Sequence, residues 1–146
     1  MPAGERSAAY FDTSALVKCY ITEPGSAIAL QAFDRHAIVS SAVARVEMAS
    51  ALRRHRTAAV SGVVEAVVQR VRRERPEWRL VAVDDAVIAR AEHVAAAEPV
   101  RSLDALHLAT ALVFREATGL EPPFVTADER QRRAATVFGL EVIFVE

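Results

Sequence analysis

Residues 8–14 have the sequence AAYFDTS, and this stretch decides the fold of the chain. Ala8 to Phe11 form a short apolar segment, typical of a strand buried on both faces, and residues able to cap a helix follow it. Similar segments alternate with helical ones along the chain, which predicts a parallel sheet covered by helices. The predicted fold class is therefore α/β, a three-layer α/β/α sandwich, and the 146 residues are predicted to form one domain, 1–146.

The other elements follow from hydrophobic periodicity and turn residues. We predict four more strands, at Ala37–Val39, Leu80–Val83, Phe124–Thr126 and Val142–Val145. The predicted helices span 13–20, 26–35, 42–56, 58–74 and 84–97, followed by one from Ser102 to Gly119 and a short one before Gly139.

Composition excludes several classes of protein. No apolar run approaches the roughly 20 residues that a transmembrane helix needs, and the first residues lack the apolar segment of a signal peptide, so we expect a cytoplasmic protein. The single cysteine, Cys19, excludes an intramolecular disulfide and is expected to be a buried core residue. The net charge of -1 gives no overall indication of nucleic-acid binding.

Basic residues are nevertheless grouped. Two groups fall at predicted helix C-termini, where cations suit the helix dipole. A third follows Asp128 within one or two helical turns, and we expect that it alone is placed to flank an acidic site and hold phosphates. The groups are Arg53-Arg54-His55-Arg56; Arg70, Arg72, Arg73 and Arg75; and Arg130, Arg132 and Arg133.

Four acidic residues lie where predicted strands give way to helices, or in the first turns of those helices. They are Asp12, Glu47, Asp104 and Asp128. The carboxyl ends of parallel strands lie along one edge of a sheet, and such folds bind ligands there. Carboxylates gathered at that edge repel one another unless a cation lies between them, and hard oxygen donors suit Mg²⁺ or Mn²⁺. A metal-dependent phosphoryl-transfer site is the first hypothesis.

Each acid also has a structural interpretation. Asp12 could cap the first helix, but Thr13 and Ser14 could cap it instead, which would leave Asp12 free to point across the strand ends. Glu47 could pair with a nearby arginine at the surface, and the sequence leaves that alternative open.

The same question applies to the other two acids. Ser102 is predicted to cap the helix that carries Asp104, and apolar neighbours indicate that Asp104 faces inward. Thr126 and Glu129 have the spacing of a capping box, which leaves Asp128 unexplained by capping. The crowding of charge predicts that Asp104→Asn raises the melting temperature of the metal-free protein.

Two further residues are interpreted as structural. Asp84 follows a predicted strand, and we expect it to cap the next helix. His107 lies three residues after Asp104 on the same helix face, and a lone helical histidine is more often a packing residue than a ligand of a magnesium-type site.

The order of the four acids and their surroundings resembles the PIN domain, and within it the VapC-type toxin ribonucleases of bacterial toxin–antitoxin pairs. The matching segments are YFDTSALVK (10–18), SAVARVE (41–47), SLDALHLAT (102–110) and FVTAD (124–128). The resemblance implies a sheet of five parallel strands in the order 3-2-1-4-5. It also implies that the four acids are the catalytic and metal-binding residues, with Asp12 and Asp104 the most central.

The resemblance further implies an activity and partners. These are Mg²⁺-dependent cleavage of single-stranded RNA, with Mn²⁺ as the alternative metal, inhibition by a small VapB-like antitoxin, and a homodimer. Water would attack the phosphodiester in line, assisted by one or two metal ions. The helices 43–52 and 60–71 are the predicted partner surfaces.

Other classes of function remain as alternatives. The nearest is a PIN nuclease of RNA processing or decay, which would share the site and differ in its partner. A receiver-like signalling domain is disfavoured, because Asp12 is not part of an adjacent acidic pair and the tail after Leu140 contains no lysine. A catalytically inactive binding module is disfavoured, because every acid is retained.

Overall fold

The structure is a computed structural model that describes residues 5–56 and 61–146. Its strands are β1 (Ala8–Phe11), β2 (Ala37–Ser41), β3 (Arg79–Val81), β4 (Phe124–Thr126) and β5 (Val142–Phe144). All four pairings between neighbouring strands are parallel, and the order is β3-β2-β1-β4-β5. The predicted α/β class and strand order are confirmed.

Helices connect successive strands. They are α1 (Thr13–Tyr20), α2 (Ser26–Arg35), α3 (Ala44–Arg56), α4 (Ser61–Glu74), α5 (Asp85–Ala97), α6 (Ser102–Thr118) and α7 (Glu129–Val137). A short 3₁₀ turn at Arg75–Glu77 contains Pro76 and ends α4, as the missing N–H of proline predicts. The predicted start of this helix at Ala58, and Val60 within it, lie outside the described residues.

Some element ends differ from the predicted ones. Helix α3 begins at Ala44, two residues later than predicted, and β3 ends at Val81, two residues earlier. The reason is a hydrogen bond from the N–H of Ala42 to the carbonyl of Val81, at 2.8 Å, which links the two chain segments before the helix begins.

The helices form one layer on each face of the sheet. Along β1 the side chains alternate between the two faces. Ala9 and Phe11 pack with residues of α1 to α4, whereas Tyr10 packs with residues of α5, α6 and α7. Cys19 is buried in the first of these cores, as predicted, and its burial raises the pKa of the thiol to about 12. Among the described residues, no helix is long and apolar enough to cross a membrane.

The carboxyl edge of the sheet brings the acidic residues into one region. Asp12 follows the central strand β1, and its backbone N–H donates to the carbonyl of Val125 on β4 at 3.1 Å. Asp128 follows β4 after one intervening residue, and Glu47 and Asp104 lie in the first turns of α3 and α6. The helices that these four acids begin, α1, α3, α6 and α7, therefore start at or near this edge.

A substitution at Gly25 tests how closely the C-terminal segment packs against the start of α2. It precedes α2 with a φ of +89°, and a Cβ atom there would lie 2.6 Å from the carbonyl oxygen of Val145. Gly25→Ala is therefore expected to lower the free energy of unfolding by more than about 1 kcal/mol, since the left-handed conformation alone costs about that much. Urea denaturation of the purified variant measures the change.

Gly62→Ala in α4 is the matched control. A Cβ atom at this position would meet nothing within 4 Å. The variant is expected to gain about 0.5 kcal/mol from the better helix propensity of alanine. A Gly25→Ala variant as stable as Gly62→Ala would contradict the close contact with the backbone of Val145.

Candidate active site

A cavity of about 870 Å³ lies at the carboxyl edge of the sheet. Three of the four predicted acids line it: Glu47, Asp104 and Asp128. Asp12 is not among the described residues that line this cavity, although its neighbours Thr13 and Ser14 are. The structure therefore brings three acids to a common space and places the fourth in the protein interior.

Asp12 is completely buried and caps α1. Its Oδ1 accepts hydrogen bonds from the Ser14 hydroxyl at 2.7 Å and the Ala15 N–H at 2.9 Å, and its Oδ2 accepts one from the Thr126 hydroxyl at 2.5 Å. The prediction that the hydroxyl residues after Asp12 would cap the helix is wrong, because Ser14 turns back to the carboxylate. Burial raises the pKa of Asp12, and the opposing effects of His107 and of these hydrogen bonds do not cancel it.

Asp104 and Asp128 are joined twice, once through each carboxylate oxygen. Gln131 joins the Oδ1 atoms: its side-chain Nε2 donates to Asp104 at 3.1 Å and its backbone N–H donates to Asp128 at 2.9 Å. Arg101 joins the Oδ2 atoms: its Nε lies 3.0 Å from Asp104 and its Nη2 lies 3.4 Å from Asp128. A cation does lie between two of the acids, as their repulsion predicts, but it is the Arg101 guanidinium.

The capping predictions for these two helices are also wrong. Helix α6 begins at Ser102, and its N-cap position is Arg101, whose backbone N–H donates to Asp104 Oδ2 at 3.2 Å. Asp128 is itself the N-cap of α7, and the Thr126 hydroxyl accepts the backbone N–H of Asp128 at 3.0 Å. The cap of α6 lies one residue before the predicted Ser102, and the cap of α7 lies two residues after the predicted Thr126, so the acids carry the capping role.

Glu47 is held at the cavity wall by a buried histidine. Its Oε1 accepts hydrogen bonds from His107 Nε2 at 2.6 Å and from the Thr13 hydroxyl at 2.9 Å, so a histidine and a threonine, and not a surface arginine, provide these two contacts. Burial acts to raise the pKa of Glu47, but the hydrogen bond and electrostatic attraction of His107, with smaller effects of Thr13 and Arg101, outweigh it and lower the pKa. Glu47 therefore stays ionised near neutral pH.

His107 connects this carboxylate to the core. Its Nδ1 lies 2.8 Å from the Tyr10 hydroxyl, so both ring nitrogens take part in hydrogen bonds. Because an ionised carboxylate only accepts, Nε2 carries the proton shared with Glu47, and in the neutral ring Nδ1 accepts from Tyr10. Burial raises the pKa of Tyr10 well above its usual value, which keeps its hydroxyl protonated. The interpretation of His107 as a partnered packing residue agrees with this geometry.

Asp84 and the third basic group lie away from the cavity. Asp84 is exposed and caps α5 through the N–H of Val87, as predicted. Arg132 and Arg133 pair with Glu129 on the same helix, and no member of their group is among the described residues that line the cavity. The prediction that this group flanks the acidic site is wrong, because the helix directs it toward its own acid.

Sequence reasoning missed several residues of the cavity. Arg54 and His55, at the end of α3, line it together with Lys18 of α1. Arg101 and Gln131 were missed although each lies three residues from a predicted site acid, a spacing that allows contact at a helix start. This three-residue spacing was the feature of the sequence that could have identified both residues as part of the site.

One buried atom at the cavity lacks a partner. Among the described residues, Oε1 of Gln131 is the buried side-chain nitrogen or oxygen atom without a hydrogen bond. Leaving such an acceptor unpaired costs about 1–3 kcal/mol. Since Gln131 lines the cavity, the missing donor would come from a molecule bound there.

The donor chemistry of the cavity fits a divalent cation. Carboxylate oxygens are the hard donors that Mg²⁺ and Mn²⁺ take, and two of them already share one cationic group. Within residues 5–56 and 61–146, however, no three Asp, Glu, His or Cys side chains converge closely enough to hold a metal ion. As these side chains stand, at most two of them would bind one metal ion, with water completing its coordination, and the metal-ligand role of Asp12 stays a prediction.

Comparison with known proteins identifies the family to which this fold and site belong. Residues 9–137 match the PIN domain family, and the chain belongs to that family. One relative is Ribonuclease VapC46 of Mycobacterium tuberculosis (strain ATCC 25618 / H37Rv), 37% identical over 139 residues that make up 94% of this chain and 97% of that protein. The resemblance to VapC-type toxin ribonucleases, predicted from four sequence segments, is confirmed.

Solved structures show the same fold. A toxin–antitoxin complex from Klebsiella pneumoniae matches with a TM-score of 0.65 and 17% identity, covering 95% of this chain and 98% of that one. FitAcB from Neisseria gonorrhoeae matches with a TM-score of 0.69 and 16% identity, covering 92% and 96%. VapBC-5 from Mycobacterium tuberculosis, a toxin–antitoxin system of the VapBC family, matches with a TM-score of 0.58 and 21% identity, covering 95% and 99%. At these identities the matches establish the fold alone.

The buried charge of Asp12 leads to a prediction about stability. Because its pKa is raised in the folded protein, ionisation disfavours folding; the penalty is present above the folded pKa and disappears as pH falls below the ordinary value of 3.8. Asp12→Asn is expected to raise the melting temperature at pH 7 by roughly 2–5 °C, the shift that about 1 kcal/mol gives in a domain of this size. Thermal unfolding of the metal-free protein between pH 3 and pH 8 measures the gain, which should shrink in acid.

Asp84→Asn is the matched control, because Asp84 caps α5 in the same way but is exposed. Its melting temperature is expected to change little at any pH. An Asp12→Asn variant that melts below wild type at pH 7 would show that the lost hydrogen bonds outweigh the buried charge. The gain in melting temperature predicted for Asp104→Asn is expected to be smaller than that for Asp12→Asn, since Arg101 already partners the Asp104 carboxylate.

Proposed function

We propose that the chain is an endoribonuclease that uses Mg²⁺, or Mn²⁺ in its place, to hydrolyse phosphodiester bonds of single-stranded RNA, as the toxin of a type II toxin–antitoxin pair. One observation carries the proposal. In a chain of the PIN domain family, Glu47, Asp104 and Asp128 line one cavity, and two of these acids share a single cationic partner.

The four acids have different roles in this proposal. Asp104 and Asp128 would hold the cation, and the ionised Glu47 would complete the set of acids directly or through water. Asp12 is the fourth member, as the resemblance implies, and it also caps α1. When bound, the cation supplies the activation of the attacking water and the stabilisation of the leaving oxygen.

Glu47 is pre-positioned for this role by residues behind it. Nε2 of His107 and the Thr13 hydroxyl both donate to Oε1, which leaves Oε2 as the oxygen able to face the cavity. Tyr10 in turn fixes the ring of His107 from the core. A carboxylate held from behind loses little rotamer freedom when it binds a ligand, which is the requirement for a catalytic group.

RNA binding requires positive charge near the acids, and the cavity supplies it. Lys18, Arg54 and His55 line the same cavity as the carboxylates. The net charge of the chain is -1, so attraction for phosphate has to be local. We propose that Arg54 holds a phosphate that neighbours the scissile one, which would position the strand without reading its sequence.

The antitoxin is proposed to bind a separate groove between α3 and α4. This groove has a volume of about 270 Å³. Its apolar floor includes Met48, Leu52, Val68, Val71 and Trp78, and its arginines are Arg45, Arg53, Arg56, Arg72 and Arg75. An amphipathic segment with apolar and acidic side chains would complement it. The resemblance also predicts a homodimer, which light scattering of the isolated protein would detect.

The metal dependence and the role of Asp104 can be tested together. Asp104→Asn is expected to lower cleavage of a 5′-labelled single-stranded RNA by about 100-fold or more, because it weakens the hold on the cation that stabilises the transition state. EDTA should abolish cleavage by the wild type, and Mg²⁺ or Mn²⁺ should restore it. Asp84→Asn, the same change at an exposed strand-end acid, should retain full activity. Full cleavage by Asp104→Asn, or by the wild type in EDTA, would contradict the proposal.

Arg53 and Arg54 are adjacent but line different surfaces, so substituting each in turn tests the RNA surface and the antitoxin surface independently. Arg54 lines the acidic cavity, and Arg53 lines the α3–α4 groove. Arg54→Gln is expected to weaken RNA binding about threefold to tenfold and to reduce its salt dependence by about one phosphate contact. Arg53→Gln should leave RNA binding unchanged and weaken binding of the small protein encoded by the adjacent upstream reading frame. Fluorescence anisotropy measures both, with catalysis prevented by EDTA.

If Arg53→Gln and Arg54→Gln weaken RNA binding equally, Arg54 contributes through the overall charge of the protein and not through a contact in the cavity. Loss of partner binding by Arg54→Gln alone would contradict the assignment of the groove. A chain that cleaves RNA but binds no product of a neighbouring reading frame would favour the alternative, a PIN nuclease of RNA processing or decay.

A further inference from the structure

We infer that Arg101 occupies, in the metal-free protein, the place of the divalent cation, so that Arg101 and the cation compete for the Oδ2 atoms of Asp104 and Asp128. Gln131 holds the two Oδ1 atoms in both states. This inference rests on the proposed function, because it assigns two residues of this chain to its cation site.

The first step concerns the oxygens. The Arg101 side chain reaches Asp104 Oδ2 through Nε at 3.0 Å and Asp128 Oδ2 through Nη2 at 3.4 Å. One cationic group therefore satisfies one oxygen from each of two helix starts. The two carboxylates share Arg101 as one positive partner, as they would share a metal ion, and a guanidinium and a divalent cation at the same two oxygens would repel each other.

The Arg101 side chain is freer to move than the two carboxylates that it contacts. The Arg101 side chain is 66% exposed, whereas those of Asp104 and Asp128 are 8% and 24% exposed. The acids also cap or support helix starts through backbone N–H groups. An exposed arginine loses little when it turns into water, because such ion pairs are weak. Arg101 is thus the member of the group that leaves.

The third step concerns Gln131. It is buried, and its Nε2 and backbone N–H bind the Oδ1 atoms at 3.1 Å and 2.9 Å. Because an ionised carboxylate only accepts, the amino end of the amide must face Asp104, and Oε1 is left as the orphaned acceptor. A hydroxyl donor at the site, such as a water of the cation's shell, would satisfy that atom. Gln131 is therefore a positioning residue for the site.

These roles predict opposite effects on cation affinity. Isothermal titration of Mn²⁺ into the metal-free full chain, without RNA, measures them. Arg101→Gln removes the competitor and is expected to bind Mn²⁺ about fivefold to tenfold more tightly than wild type. Gln131→Met keeps the length of the side chain, removes both hydrogen-bonding groups, and is expected to bind Mn²⁺ several-fold more weakly.

Arg90→Gln is the matched control. Arg90 makes a bidentate ion pair with Glu116, at 2.6 Å and 2.8 Å, between α5 and α6, and neither residue lines the cavity. The control should lose some thermal stability and keep wild-type Mn²⁺ affinity. Arg101→Gln is at an exposed side chain and is expected to fold; its melting temperature checks this.

A spectroscopic readout follows the same competition in the wild type. The Nε–H resonance of Arg101 should be protected from solvent exchange in the metal-free protein. It should lose that protection when diamagnetic Mg²⁺ is added. A side chain with a purely structural role would keep its protection.

The outcomes separate this inference from the proposed function. If the wild type binds Mn²⁺ and cleaves RNA but folded Arg101→Gln binds the ion equally or more weakly, the competition is disproved and the nuclease proposal stands. If neither protein binds a divalent cation and RNA is not cleaved, both fall. Tighter binding by Arg101→Gln with weaker binding by Gln131→Met supports the inference.

Discussion

Carboxylates that a parallel sheet gathers at one edge must each be given positive or hydrogen-bonding partners, and this constraint shapes the whole site. Asp104 and Asp128 satisfy it together. Gln131 binds one oxygen of each from the buried side, and Arg101 binds the other oxygen of each from the open side. Because both acids also serve the starts of α6 and α7, the same contacts stabilise the helices and set the direction of the charged groups.

The other two acids satisfy the constraint in different ways, and their pKa values diverge. Glu47 has a histidine behind it, and its pKa is lowered. In the part of the chain that the structure describes, the donors within hydrogen-bonding distance of Asp12 are hydroxyl and amide groups, and burial raises its pKa. One carboxylate is thereby kept charged at the cavity wall, while the other links β1 to β4 through Ser14 and Thr126. The predicted site acids thus lie in unequal environments.

Helix α3 connects the two surfaces of the molecule. Glu47, Ser50 and Arg54 line the acidic cavity, whereas Met48 and Arg53 line the groove against α4. The division follows from the helical period, since residues three or four apart share a face and adjacent residues do not. A single basic run at the end of a helix can therefore serve two ligands, although in the sequence it looks like one solvated helix end.

The sequence by itself determined the α/β class, the alternation of strands and helices, the four acids at the helix starts, and the capping role of Asp84. These follow from local periodicity and from the direction of parallel strands, which act over a few residues. Only the tertiary structure decided which residues cap α1, α6 and α7 and which cation neutralises the acids. A cap changes with a shift of one residue, and Arg101 and Gln131 each reach an acid 27 residues away in the chain, a contact that exists only once α6 and α7 are packed together.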